Sequence, residues 1–367
     1  MTKYSLNLCF ENGVHYRPTL QPYWTNKQSR RAIIAQILFM DSSMPTPFID
    51  ILLLSYGKFF ATTKPCIDSL LPDSHNPDYR LTVIDNCSPD DSAEQIRNYL
   101  SKQPQVRDFY LETNTGFAGG MNYGASQSTA EWLMLVNSDT VFLPGALDSL
   151  CQALQLQPEE VGMIGPVTNA AGNGQNYDIK GDKAAVLADA KKLQGTPCHT
   201  LIPCYRLDFF CVAIRRTLWE KLNGLDPIFG LGYYEDTDFS MRAKALGCKM
   251  MICEDAFVYH MGGSSFSSNP KTKALIKRNK KIFLKRHPYA TLYHQREGNL
   301  QAIEAFSELY KCKQWNQGLT IRLNMRMNAL SSQRPRSLLK RWIWQRKTDK
   351  ILSKFEAVAH NLHRGQN

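Results

Sequence analysis

Ile49-Asp50-Ile51-Leu52-Leu53-Leu54, then helical spacing over residues 59–71, then Leu81-Thr82-Val83-Ile84, is the stretch on which the fold turns. A continuous apolar run of strand length suits a strand covered on both faces. The unit repeats. Residues 92–100 read as a helix with Asp90 or Asp91 as its cap, 109–112 as a third strand, 120–130 as a third helix, and Trp132-Leu133-Met134-Leu135-Val136 as a fourth strand. Four alternations of strand and helix predict an α/β fold, a mostly parallel central sheet with helices on both faces.

In such sheets ligands bind beyond the carboxyl ends of the strands. Those ends carry Asp85-Asn86-Cys87-Ser88, then Asn114-Thr115-Gly116-Phe117-Ala118-Gly119-Gly120-Met121-Asn122, then Asn137-Ser138-Asp139. A turn accounts for an Asp or Asn at any one strand end; three polar ends in succession point to a ligand. The glycine-rich loop at 114–122 lets backbone approach that ligand closely, and the helix it feeds favours an anion such as a diphosphate. Its pattern is neither G-x-G-x-x-G nor a Walker loop.

Downstream, residues 162–206 carry Gly162, Gly165, Gly172, Gly174, Gly181 and Gly195, and predict a loop-rich connection with one helix over 184–193. Residues 207–214 read as a strand and 215–222 as a short helix. Gly230-Leu231-Gly232 then leads into Tyr233-Tyr234-Glu235-Asp236-Thr237-Asp238. Three carboxylates in four residues repel one another unless a cation, proton or donor sits among them. One of the three is read as a general base. A helix over 236–246 and a strand over 257–260 follow, and the strand ends at His260, a candidate metal ligand. Gly262 and Gly263 leave room beside it for phosphate or metal.

The chain has 367 residues, 43% of them hydrophobic, enough for one large domain with an extension or for two. Its net charge of +11 fits nucleic acid, an anionic membrane or an acidic substrate. No nucleic-acid motif accompanies it, so a nucleic-acid partner is not expected. The ten cysteines form no C-x-x-C pair and predict buried reduced thiols in a cytosolic protein. Met1 to Leu6 shows no signal peptide, and no apolar run is long enough to predict a membrane span. Residues 1–47 read as an N-terminal appendage, strand-like over 4–10 and helix or strand over 30–38, with Pro45 and Pro47 marking the junction. From Lys271 cations cluster. In the tail Arg322, Arg326, Arg334, Arg336, Lys340, Arg341, Arg346 and Lys347 interleave with Trp342, Ile343 and Trp344. That composition fits a solvated basic helix or a helix lying on anionic lipid, with tryptophans at headgroup level.

From about residue 49 to 286 the chain resembles glycosyltransferase family 2, the inverting enzymes with the GT-A fold. The look is nearest to bacterial rhamnosyltransferase- and galactofuranosyltransferase-like members that build surface polysaccharide. The resemblance rests on the order and spacing of Val83–Asp90, Asn114–Gly124, Leu135–Thr140, Gly224-Leu225-Asp226 through Glu235–Arg242, and Val258-Tyr259-His260-Met261-Gly262-Gly263-Ser264. It implies a GT-A domain over 48–290 and a basic helical C-terminal region over 291–367. It implies that Asp85 hydrogen-bonds the pyrimidine base and that Asn114, Gly116 and Asn122 line the nucleotide and diphosphate pocket, with Asn86, Gly119, Asn137 and Ser138 also on the nucleotide side. Asp139 and His260 would hold Mg²⁺ or Mn²⁺, and Asp236 would be the base. Tyr234, Glu235 and Asp238 fall on the acceptor side. Asn137 stands where the fullest motif has its first acid, which leaves Asp139 as the one strong ligand there. Leu225 stands where relatives often carry Phe, and Phe210 where Gly is frequent.

The implied activity is inverting transfer from a TDP- or UDP-linked sugar to a hydroxyl of a glycan acceptor, lipid-linked, at the inner face of the cell membrane. Two other classes compete: a non-catalytic nucleotide-sugar- or carbohydrate-binding subunit of an assembly complex, and a nucleotidyltransferase, which cleaves between phosphates.

Overall fold

The computed structural model describes residues 47–364 except 74, 75, 77, 156, 263–268, 334 and 336. The appendage at 1–46, Gly263, Ser264, Arg334 and Arg336 therefore lie outside the described residues. Nine strands build one sheet: β1 Ile49–Ser55, β2 Tyr79–Asp85, β3 Arg107–Tyr110, β4 Trp132–Asn137, β5 Thr140–Phe142, β6 Val161–Val167, β7 Leu201–Cys204, β8 Cys211–Arg215 and β9 Lys249–His260. The helices are α1 Lys64–Leu70, α2 Ser92–Leu100, α3 Gly116–Ser126, α4 Ala146–Gln155, α5 Lys183–Gln194, α6 Arg216–Lys221, α7 Glu235–Ala245, α8 Pro270–Arg286, α9 Gln295–Lys311, α10 Gln317–Ser332 and α11 Leu338–Arg364.

The strand order is β3-β2-β1-β4-β8-β6-β9-β5, with β7 also on β9. From β3 to β4 every pairing is parallel, as the alternation predicts. Beyond β4 the sheet is mixed: β8 runs antiparallel to both neighbours, while β6 and β9 pair in parallel. Alternate residues of β1 and β4 enter two cores. Leu52, Leu133 and Leu135 pack on one face, and Ile51, Leu53, Met134 and Val136 on the other. Each such fully buried aliphatic contributes about 1.5–3 kcal/mol, and this places the strand ends rigidly.

β6 corrects the reading of 162–206 as loop. Val161-Gly162-Met163-Ile164-Gly165-Pro166-Val167 is buried throughout. Its glycines are packing positions. A Cβ at Gly162 would stand 2.7 Å from Leu218, and one at Gly165 2.6 Å from Gln175. α3 also begins four residues before its predicted start. Gly116 takes a left-handed φ of 71° and lies so close to Gly230 that any side chain would overlap its carbonyl.

The basic tail is corrected in part. Arg322 and Arg326 are fully buried on α10. Arg322 donates to the carbonyls of Leu193 (3.0 Å), Thr196 (2.7 Å) and Glu254 (2.9 Å) and to Asp255 Oδ1 (3.0 Å). Arg326 pairs with Glu254 Oε1, donates to Gly174 O (3.0 Å), and stacks on Tyr177. These arginines fasten α10 to β9. α9 packs on β7, and α11 packs on α9. The described residues thus belong to one compact unit. The described cysteines are free thiols, five of them buried.

Candidate functional site

The carboxyl ends of β1, β2 and β4 lie side by side, with Ser55 level with Asp85 and Leu54 level with both Ile84 and Asn137. Both Asp85 oxygens are taken by Ser88, through its backbone N–H (3.0 Å) and its hydroxyl (2.5 Å). The Ser88 hydroxyl also accepts from Gly57 N–H (2.7 Å), and Lys58 N–H reaches Asp90 (2.9 Å). The β1 end is thereby tied to the β2 end. Tyr56, directly after β1, is exposed.

Asn86 is buried, and its side chain organises the glycine-rich loop. Its amide donates to Asn114 Oδ1 (3.2 Å) and Gly116 O (3.1 Å), and its oxygen accepts from Thr115 N–H (3.0 Å). Asn114 Oδ1 in turn accepts from Gly116 N–H (2.9 Å). Gly119 sits one turn into α3, where a side chain would strike Thr115. Asn122 does something else. Its amide donates to Leu225 O (2.8 Å) and its oxygen accepts from Leu225 N–H (2.9 Å), so both ends are spent on bringing in the chain that precedes the acidic turn. Phe117 N–H reaches Leu231 O (3.3 Å), which completes the join between the glycine-rich loop and that turn.

The acidic turn is strained. Tyr233 and Tyr234 follow one another at φ of 72° and 79°, a conformation that residues with a Cβ adopt rarely. Asn279 of α8, fully buried, holds it there by donating to the carbonyls of Phe229 (2.7 Å), Gly232 (2.8 Å) and Tyr233 (3.0 Å). Tyr234 leans on Phe283 of the same helix. α7 starts directly afterwards. Asp236, half-buried, caps its own first turn by accepting from Thr237 N–H (2.5 Å) and Thr237 Oγ1 (3.0 Å).

The three carboxylates have separate environments. Burial, and then the charge of Asp208, push Asp236 above the usual carboxylate range. Glu235 is 7% exposed, and its Oε2 has no partner. Burial and the neighbouring Asp236 raise it to about 8, so it carries a proton at neutral pH. Asp238 goes the other way. Burial opposes its ionisation, but the hydrogen bond from His287 Nε2 (2.9 Å) and the Arg242 guanidinium (2.7 Å) outweigh that and hold it low. Asp238 is fully buried among these partners and Arg286. It anchors α7 to α8 rather than facing an acceptor.

His260 comes to Asp139 because β5 pairs with the end of β9, Thr140 opposite His260. The ring lies flat against Phe210, 5.3 Å between centroids. Nδ1 donates to Ala170 O (2.8 Å), and Nε2 faces Asp139 Oδ1 at 3.3 Å. A neutral imidazole in that tautomer points a lone pair at a carboxylate. Only a proton or a cation between them resolves this. Burial disfavours the charged ring, but the Asp139 hydrogen bond and charge outweigh it and raise His260. Nitrogen and oxygen donors at this spacing fit a divalent cation. Among the described residues no cluster of three or more such ligands occurs, so two protein ligands would be complemented by phosphate oxygens or water. Asn137 and Ser138 are half-buried at the β4 end, and Asn137 N–H is held by Phe210 O (2.9 Å).

Arg206 and Asp208 escaped the sequence reading. They form an ion pair, and Asp208 also accepts from Gly172 N–H (2.5 Å). The charge of Asp208 acts on both Asp236 and His260. The alternation Arg206-Leu207-Asp208 just before β8 was the available signal.

Polar strand ends, a glycine-rich loop at a helix N-terminus and a carboxylate of raised pKa meet at one end of the sheet, and the fold is that of GT-A glycosyltransferases. GalNAc-T7 with UDP, GalNAc and Mn²⁺ superposes with a TM-score of 0.51 at 13% identity, over 80% of this chain and 57% of that one. Residues 50–206 match the family described as Glycosyl transferase family 2. That match ends before Asp208, the acidic turn and His260. Glycosyltransferase GlyG of Streptococcus pneumoniae serotype 4 is 25% identical over 31% of this chain and 35% of its own length. An uncharacterized glycosyltransferase of Haemophilus influenzae is 22% identical over 53% of this chain and 61% of its own. The aligned part thus spans between about a third and three-fifths of these curated relatives.

Proposed function

We propose that this protein is an inverting glycosyltransferase that moves a sugar from a TDP- or UDP-linked donor to a hydroxyl of a lipid-linked glycan in bacterial surface polysaccharide synthesis. The reading is supported above all by Asp236. It is a half-buried carboxylate with a raised pKa, set at the join between the anion loop and the acidic turn. Asp236 takes the proton of the acceptor hydroxyl as that oxygen attacks the anomeric carbon from the face opposite the nucleotide, and the single displacement inverts the centre. The raised pKa makes Asp236 a stronger base than an ordinary carboxylate. Glu235, carrying its proton, is a neutral donor beside it on the acceptor side, with Tyr234.

Asn86, Asn114, Gly116 and Gly119 present the α3 N-terminus to the diphosphate, and Asp85 with Asn137 and Ser138 border the nucleotide. Asp139 and His260 would hold Mg²⁺ or Mn²⁺, which when bound supplies positive charge to the leaving diphosphate. The transferase unit is assigned to 48–290, with 291–367 as its basic helical extension. We place the protein in the cytoplasm, peripheral on the inner membrane face. No helix among the described residues is long and apolar enough to cross a membrane.

The test is release of nucleoside diphosphate from a panel including TDP-rhamnose, UDP-galactofuranose, UDP-hexoses and UDP-hexosamines, with Mn²⁺ or Mg²⁺. Release from one donor, abolished by Asp236→Asn and by Asp139→Ala, is the expected result. Binding of a donor by calorimetry, with no turnover in the presence of any glycan acceptor, would overturn catalysis in favour of a binding subunit. Sugar 1-phosphate among the products, from cleavage between the two phosphates, would indicate a nucleotidyltransferase.

A further inference from the structure

We infer that one face of α11 is a docking surface for an anionic lipid bilayer, and that this face rather than the basic tail as a whole makes the membrane contact. Two of the tail's cations, Arg322 and Arg326, are buried and cannot meet a surface. α11 packs on the protein through Trp344 and Thr348, both buried, with Ile351 half-buried one turn further on. At 3.6 residues per turn the opposite side carries the row Leu338, Trp342, Arg346 and Lys350, and a second exposed row, Leu339, Ile343 and Lys347, runs along its flank. Each row begins apolar and ends cationic. Leu338, Leu339, Trp342 and Ile343 are 81%, 68%, 54% and 45% exposed. The Arg346 guanidinium lies over the Trp342 ring at 4.1 Å, the polar end of one row covering the aromatic of the same row.

Four large apolar side chains exposed within six residues are costly in water and unusual on a soluble surface. Their immediate neighbours decide the occupant. Arg346, Lys347 and Lys350 are exposed beside them, with Asp349 the one acid in the stretch 338–353. An apolar end that enters the acyl boundary and a cationic end that meets headgroups describe a helix lying in an anionic interface, with tryptophan at the boundary. α8 is the contrasting case. It carries eight Lys and Arg and no acid, but Leu284 is its one exposed large apolar side chain among the described residues. It has the charge and lacks the insertion.

This inference deepens the membrane element of the proposed function but is tested without any sugar donor. The full chain is co-sedimented with vesicles of phosphatidylcholine alone and of phosphatidylcholine mixed with phosphatidylglycerol. Binding to the mixed vesicles, weak binding to the neutral ones, and loss of at least about tenfold in Trp342→Ser/Ile343→Ser are expected. Arg346→Gln and Lys347→Gln should each weaken binding roughly fivefold, and Lys280→Gln/Lys281→Gln on α8 should leave most of it. These side chains are exposed, so thermal melting of the variants should match the parent. Vesicle binding that ignores the α11 changes and disappears with the α8 changes would overturn the inference. So would the absence of binding. A dimer in light scattering that Trp342→Ser/Ile343→Ser dissolves, without vesicle binding, would assign the face to a second copy. Nucleoside diphosphate release in vesicle-free solution is measured on the same variants. Retained release with lost vesicle binding separates the two readings.

Discussion

The two sides of the site use their polar groups in opposite ways. On the side of β1 to β4, the side chains of Asp85, Asn86, Asn114 and Asn122 are matched to protein partners, so the loops are built before anything binds. On the side of the acidic turn and β9, charge is left unresolved. Glu235 has a buried oxygen without a partner, Asp236 is pushed up in pKa, and His260 faces Asp139 with a proton or cation required between them. One side spends its hydrogen bonds on shape. The other keeps free energy in reserve for a reacting group.

This contrast is open to direct attack. The largest effect is expected for Asp236→Asn, a loss of about 10²–10⁴ in kcat with donor affinity and melting temperature little changed. Asn122→Ala should do the reverse, lowering stability in urea by about 1–3 kcal/mol, and any loss of turnover should follow from the displaced Leu225 segment. If Asp236→Asn unfolds the protein, or Asn122→Ala removes turnover at full stability, the division of labour is wrong.

Next comes Asp238→Asn, which breaks a buried ion pair and should cost about 2–3 kcal/mol at neutral pH, less than for a fully buried pair because Arg242 is partly exposed. The folded carboxyl titrates below its ordinary 3.8, so its contribution is present above that value and is lost as pH falls through the lower, folded one. The difference between parent and variant in denaturant should therefore shrink in strong acid.

The smallest effect is expected for Glu235→Gln in acid. Near pH 4 the carboxyl is largely protonated in both the folded and the unfolded chain, and melting temperatures should agree. The folded value of about 8 lies above the ordinary 4.5, so folding takes up a proton and parental stability declines as pH rises between them. The Gln variant lacks that decline, so melting curves from pH 5 to pH 9 should diverge with the variant on top. Parallel curves would mean that Glu235 is ionised in the folded protein.

The parallel half of the fold was legible because β1, β2 and β4 each carry a dense apolar run. Residues 92–100 coincide with α2, and Trp132 to Val136 fall within β4. β6 was not legible, because Gly162, Gly165 and Pro166 read locally as loop and their reason is contact with Leu218 and Gln175 elsewhere in the chain. Within the site, the closeness of Asp139 and His260 follows from a β5–β9 pairing about 120 residues apart, which no local period encodes. Asn279 and Asp208 were passed over for a similar reason. A lone Asn in a lysine-rich helix and an Asp beside an Arg look like surface until their partners arrive. The charge of Arg322 and Arg326 likewise said solvent, and the acids of β9 drew them inside.

β9 is twelve residues long and serves two masters. Glu254 and Asp255, midway along it, are the acids that receive α10, and His260 terminates it beside Asp139. The C-terminal helices and the proposed reaction centre are thus strung on a single rod. A version of the protein cut back to its family-matching segment would lose the rod entirely. A version cut after α8 would keep His260 but strip Glu254 of both its counter-charges and the helix that covers it, on the strand that aims His260. Shortened forms made for study should therefore be expected to fail at the His260 end, remote as the missing piece is from it.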